Sequence, residues 1–204
     1  MSTKTIKDMV DQVPDLVICG RSLADFLADI EAFHGFLAPG VVLGGLMVDQ
    51  AQEKVGPGVE ADAVVETCRC LPDAVQIFTP CTAGNGWLKI LDWQKFALTL
   101  YDKGTLLGYR VWLDLEKARR APHIYNWYMG LVPKKDLPLE VLLDTIIKAR
   151  RSVFSCVPVR VTRLYGKREK GEIKVCPSCG EAYPALQGDQ CAACQGQGYY
   201  EPRE

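Results

Sequence analysis

Four cysteines near the end of the chain carry the plainest chemistry: Cys176-x2-Cys179, an 11-residue spacer, then Cys191-x2-Cys194. A Cys-x2-Cys turn aims two thiolates at one ion, and two such turns complete a tetrahedral site. Zinc is the expected ion, although a rubredoxin-like iron site uses the same four-thiolate geometry. A segment this short has too little core to fold unaided, so the metal is expected to fold it. Four protein ligands leave no open position, which makes such a zinc structural and not hydrolytic.

A looser set lies upstream. His34 stands in F-H-G-F-L-A-P-G, in a chain with 2 histidines and 9 cysteines, and further thiols occur at Cys68, Cys70 and Cys81. A helix end, a strand end and a glycine loop are positions from which distant side chains converge on one pocket. The same residues also read as packing groups, because free cysteine is among the most buried types. A thiol-dependent enzyme would use Cys70 or Cys81 as nucleophile with His34 as base or charge partner. Against it, the core lacks the C-x-x-C of disulfide chemistry, and Cys68-x-Cys70 is one residue shorter.

The elements that must position these residues are partly legible. S-L-A-D-F-L-A-D-I-E-A-F (22–33) has helical apolar spacing, with Ser22 suited to the N-cap and Gly35 to the C-terminal stop. After Pro39 a second helix is expected, although Gly44 and Gly45 cost about 1 kcal/mol each relative to alanine. Close packing or a nearby ligand would compensate. A-V-V-E-T-C-R-C (63–70) suits a buried strand, D-A-V-Q-I-F a short helix, and three runs from Trp87 to Asp114 read as consecutive strands. Residues 138–154 read as a helix with Val141, Leu142, Thr145, Ile146 and Ala149 on one side, and V-R-V-T-R-L-Y (159–165) as a strand. Helices mixed with antiparallel neighbours predict an α+β domain. The composition shift near residue 165 predicts a core of 1–165 and a small domain of 166–204.

The chain has 204 residues, 48% hydrophobic and 24% charged, with a net charge of −1. That balance suits a folded protein and gives no global attraction to nucleic acid. The first residues lack the apolar core of a signal peptide, and no run of roughly 18 uncharged apolar residues follows. An odd number of cysteines fits a reducing compartment, so a cytoplasmic location without membrane contact is expected.

Three stretches resemble the E-subunit family of formylmethanofuran dehydrogenase, the FmdE-like proteins: F-H-G-F-L-A-P-G-V-V-L-G, C-L-P-D-A-V-Q-I-F-T-P-C-T-A-G-N-G-W-L, and D-W-Q-K-F-A. The family's first motif has the form H-G-H-x-C-P-G, and its second resembles C-x-x-D-A-I-Q-x-x-T-G-C-T-x-G-K-G-N-L. The resemblance covers roughly residues 20–155. It implies a thioredoxin-like α+β core with a mixed sheet flanked by helices, a metal site among the motif residues, and in some members a C-terminal zinc finger of treble-clef type. It maps the motif ligands onto His34, Cys70 and Cys81, the polar pair onto Asp73 and Gln76, and a later D-x-x-K onto Asp92 and Lys95. Phe36 and Ala38 stand where the family often has histidine and cysteine, and neither binds metal. Pro80, Asn85 and Trp87 replace a glycine, a lysine and an asparagine. A second metal, in the core, is therefore expected only if the reduced motif still binds, and a metal-dependent enzyme acting at His34, Cys70 and Cys81 is then the alternative.

The function this resemblance implies is that of a metal-binding accessory protein. Its partner would be a molybdenum or tungsten formylmethanofuran dehydrogenase, serving one-carbon metabolism in anaerobes, or a related redox enzyme. A homodimer is expected, with Tyr183, Tyr199 and Tyr200 packing against the second copy. Nucleic-acid binding through the zinc module is the other alternative. It would use those tyrosines with Lys167, Arg168, Lys170 and Lys174, but Glu169 and Glu172 interrupt the basic run and the net charge argues against it.

Overall fold

The computed structural model describes residues 3–165 and 171–200. The chain divides into two compact units, Met1–Tyr165 and Gly166–Glu204. Unit 1 opens with helix α1 (Thr3–Gln12), a two-stranded ladder of β1 (Val17–Ile18) and β2 (Arg21–Ser22), and helix α2 (Leu23–His34). Ser22 caps α2 by accepting the Asp25 N–H, and Gly35 ends it in the left-handed conformation at φ 90°.

Helix α3 (Pro39–Val55) runs through the centre, with every residue from Gly40 to Val48 buried. A helix apolar on all sides is a core helix. Its glycines allow close approach. A Cβ on Gly45 would stand 2.5 Å from Phe26 Cζ and 2.8 Å from Phe78 Cε2, in the rings that stack at 4.7 Å beneath it. Gly44 likewise admits Leu71 and Ala74 of helix α4 (Leu71–Phe78).

The sheet comprises β3 (Ala61–Val65), β4 (Leu88–Ile90), β5 (Ala97–Asp102), β6 (Leu107–Leu113) and, after the short helices α5 (Leu115–Ala118) and α6 (Pro122–Tyr128) and helix α7 (Leu139–Ala149), strand β7 (Phe154–Arg160). Spatial order is β4-β3-β5-β6-β7. β3 and β4 are parallel, linked through α4, and the other neighbours are antiparallel. This mixed sheet flanked by helices, with its parallel β-α-β unit followed by an antiparallel hairpin, is the expected thioredoxin-like α+β architecture. No helix among the described residues is long and apolar enough to cross a membrane.

Three expectations need correction. The strand placed over 63–70 ends at Val65, because Glu66 turns its carboxylate to the Arg110 guanidinium and its carbonyl to Trp93 N–H and Lys95 N–H. The helix placed over 138–154 ends at Ala149, and Phe154 already pairs with Leu113 as the start of β7. Its buried face is Leu142, Leu143, Ile146 and Ile147, with Val141 exposed, so the apolar stripe is rotated from the one read in the sequence. The strand placed over 159–165 is the tail of β7, which begins at Phe154 and stops at Arg160.

Unit 2 contains the hairpin β8 (Ile173–Val175) and β9 (Ala182–Pro184), followed by short helical turns. Its buried apolar cluster is Cys176, Tyr183 and Cys191. Lys167, Arg168 and Lys170 lie outside the described residues.

Candidate functional site

Cys176 and Cys179 sit on the tight turn that joins β8 to β9. Cys176 N–H donates to Glu181 O, Gly180 N–H donates back to Cys176 O, and Gly180 takes φ 76°, a value that favours glycine. Cys191 and Cys194 sit on a second turn, closed by Gln195 N–H to Cys191 O. The four sulfurs lie within 4.8 Å of one another, and Cys179 Sγ is 3.8 Å from Cys191 Sγ. Four thiolates at the zinc–sulfur bond length of about 2.3 Å stand about 3.8 Å apart on a tetrahedron.

Electrostatics agree with the geometry. Backbone N–H groups of Cys191 and Cys179 hold the Cys176 thiol down at about 6, whereas hydrogen bonds with Cys191 and Cys179 push Cys194 up to about 12. Crowded thiols compete for protons, and a dication removes the competition by favouring all four thiolates. The cluster is able to coordinate a zinc ion. Among the described residues no other group of three or more His, Cys, Asp and Glu side chains brings its ligating atoms together in this way.

The core motif residues divide between the two ends of α4. At its N-terminus, Cys70 is the N-cap residue, and a Cβ on Gly40 would come 2.8 Å from Cys70 Sγ. The first motif's glycine thus seats the second motif's thiol. One turn further on, Asp73 Oδ2 lies 2.6 Å from His34 Nδ1, joining the ends of α2 and α4. Phe36 lies with its ring 4.8 Å from the imidazole, and Ala38 is buried as the N-cap residue of α3.

Cys81 follows the other end of α4, a helix of 8 residues and therefore about 12 Å long at 1.5 Å per residue. Fully buried, it directs its thiol to Ala61 O at 3.3 Å, and burial pushes its pKa up. The arrangement does not gather His34, Cys70 and Cys81 around one ion. Gln76 Oε1 accepts the Ala83 N–H at 3.3 Å, tying down the glycine loop that Asn85 folds by accepting from Thr82 N–H and Trp87 N–H. Lys95 has its ammonium 5.9 Å from the Trp93 ring centre.

A cavity of about 640 Å³ opens where the motifs meet. The β3–α4 loop supplies Thr67, Cys68, Arg69 and Cys70, α3 supplies Gly40, and the segment before β5 supplies Asp92, Gln94 and Phe96. Trp127 and Tyr128 of α6 complete the wall. Asp92 accepts from Cys68 N–H at 3.2 Å and from Cys68 Sγ–H at 3.3 Å. That hydrogen bond raises the Cys68 pKa and lowers the Asp92 pKa. The Asp92→Asn variant removes the carboxylate that favours the neutral thiol. It is expected to lower the Cys68 pKa and so speed Cys68 alkylation by iodoacetamide at pH 7; an unchanged or slower rate would refute the assigned role.

Sequence reading did not single out Thr67, Arg69, Gln94, Phe96, Trp127 and Tyr128 as site residues, although Gln94 and Phe96 lie in the D-W-Q-K-F-A stretch. The aromatic run P-H-I-Y-N-W-Y was a signal available for the last two, with Pro122 in the first turn of α6.

A family model described as FmdE, molybdenum formylmethanofuran dehydrogenase operon, matches residues 33–161. The chain belongs to the FmdE family. A second model, the FmdE treble clef zinc finger, matches residues 167–201. Among solved structures, the FmdE-family chain is similar to a tungsten formylmethanofuran dehydrogenase FmdE-like protein from Syntrophus aciditrophicus. They share 42% identity and a TM-score of 0.81 over 91% of this chain and 98% of that one. A relative from Archaeoglobus fulgidus, a probable S-adenosyl-L-methionine-binding protein, is 39% identical over 108 residues. The match takes in 48% of this chain and spans 29% of that relative's length.

Proposed function

We propose that this FmdE-family protein is an accessory protein of a molybdenum or tungsten formylmethanofuran dehydrogenase or a related redox enzyme. It binds a small ligand in the core cavity and uses zinc only to fold the C-terminal module. The observation that carries the ligand site is convergence: Gly40, Cys70 and Asp92 come from three separate motif stretches and line one cavity. His34 and Asp73 tie α2 to the first turn of α4, the helix that Cys70 caps. Cys81, Gln76 and Lys95 serve packing and loop geometry in this reading. The protein acts in the cytoplasm as a homodimer.

The wall of the cavity favours one ligand class. Phe96, Trp127 and Tyr128 offer aromatic surface for a planar ring or a cationic sulfonium, while Asp92 and Arg69 offer a carboxylate and a guanidinium for an amino-acid head group. S-adenosyl-L-methionine, for which the Archaeoglobus fulgidus relative is named, carries all of these groups. Titration calorimetry of the full chain with S-adenosyl-L-methionine is expected to give saturable binding, weakened about fivefold or more by Trp127→Ala, since one stacked aromatic contributes about 1–3 kcal/mol. No heat of binding, or heat indifferent to that substitution, would refute this ligand class.

A further inference from the structure

The loop from β3 to α4 holds two thiols, Cys68 and Cys70, one residue apart and both on the wall of the cavity. Its place in the fold matters. In a β-α-β unit the N-terminus of the crossover helix is where a C-x-x-C dithiol performs redox chemistry. The pair in this chain occupies that junction with one residue fewer.

The backbone there is strained. Cys70 has φ 57° and ψ −51°, and Leu71 N–H donates back across it to Arg69 O at 2.5 Å. That is a positive-φ γ-turn, a rare conformation that costs energy and clusters at functional sites. The bare backbone of Gly40 makes room for the Cys70 side chain it displays. Cys68, by contrast, is exposed, with its thiol hydrogen-bonded to Asp92. One thiol is open to solvent, the other is held against the helix, and the cavity between them admits a small molecule.

We propose that Cys68 and Cys70 form a thiol–disulfide exchange site for a low-molecular-weight disulfide. Cys68 loses its proton to solvent and its thiolate attacks one sulfur of the disulfide; that S–S bond breaks and the first small thiolate leaves and is protonated. Cys70, deprotonated in turn, attacks Cys68 Sγ, and the second small thiol departs. The protein loses two electrons and two protons as its own S–S bond forms, and the disulfide gains both as two thiols. This step goes beyond ligand binding at the cavity and does not require it.

The test uses the zinc-loaded full chain, oxidised glutathione as probe, alkylation of remaining thiols, and peptide mass spectrometry. Trypsin cuts after Arg69, so the bond would join peptide 55–69 to peptide 70–89, with fragmentation separating Cys70 from Cys81. The expected result is that cross-linked pair, in about tenfold or greater excess over glutathione adducts because ring closure is intramolecular. Cys68→Ser and Cys70→Ser should lose it, and Cys70→Ser should instead retain glutathione on Cys68. A lasting adduct on wild-type Cys68, a link to Cys81, or no reaction at either thiol would overturn the proposal.

Discussion

Cys191→Ser is expected to abolish stoichiometric zinc and unfold residues 171–200 while leaving the larger unit folded. The module's buried apolar cluster consists of Cys176, Tyr183 and Cys191, two of which belong to the four-thiol cluster able to coordinate zinc. Folding therefore draws on the ion, which in comparable four-ligand modules contributes about 10–16 kcal/mol at neutral pH. Elemental analysis should fall from about one zinc per chain to none. Hydrogen exchange should show amides of the β8–β9 hairpin losing protection, with α3 and β5 unchanged. Retained protection in that hairpin without metal would show that its few apolar contacts suffice, and would end the structural reading of the zinc.

Arg110→Ala is expected to cost the core about 3 kcal/mol or more, the usual result of stranding one partner of a buried pair. Arg110 Nε and Nη2 reach Glu66 Oε1 and Oε2 at 2.7 and 2.8 Å, and the Glu66 side chain is only 7% exposed. Without the guanidinium that carboxylate stays buried and unpaired. A loss of this size lowers the melting temperature of a chain this long by roughly 6–12 °C. Glu66→Met combined with Arg110→Met should recover most of it, because paired apolar replacements cost little. A drop under about 1 kcal/mol for Arg110→Ala would mean the pair behaves as a surface one. The pair also stands where β3 gives way to the thiol-bearing loop, so Arg110→Ala should loosen the cavity wall as well as the sheet.

What the sequence disclosed followed from how local each signal is. Ser22, Gly35 and Pro39 mark α2 and α3 because caps and breakers act within a few positions. The paired cysteines named their own site because each turn is local and the fold brings the two together. Convergence of the core residues could not be read in that way. His34 meets Asp73 across 39 positions, and Cys81, close to Cys70 in sequence, is held away from it by the whole of α4. The aromatic wall depends on α6, a helix of 7 residues without a side-chain cap, whose placement is decided by packing. The family resemblance supplied the architecture that periodicity left open, down to the mixed sheet. The substitutions at positions 36 and 38 gained a physical sense from the structure, as an aromatic cover over His34 and a buried first step into α3.

The sheet ends on β4, which is 3 residues long, and on β7, which carries Pro158. Short edge strands and a proline without an N–H both discourage a further strand from adding. Two copies meeting in solution would thus have little unsatisfied backbone to share. Their association would rest on side chains alone, a contact that selection can strengthen or dissolve residue by residue without inviting the open-ended stacking that leads to fibres.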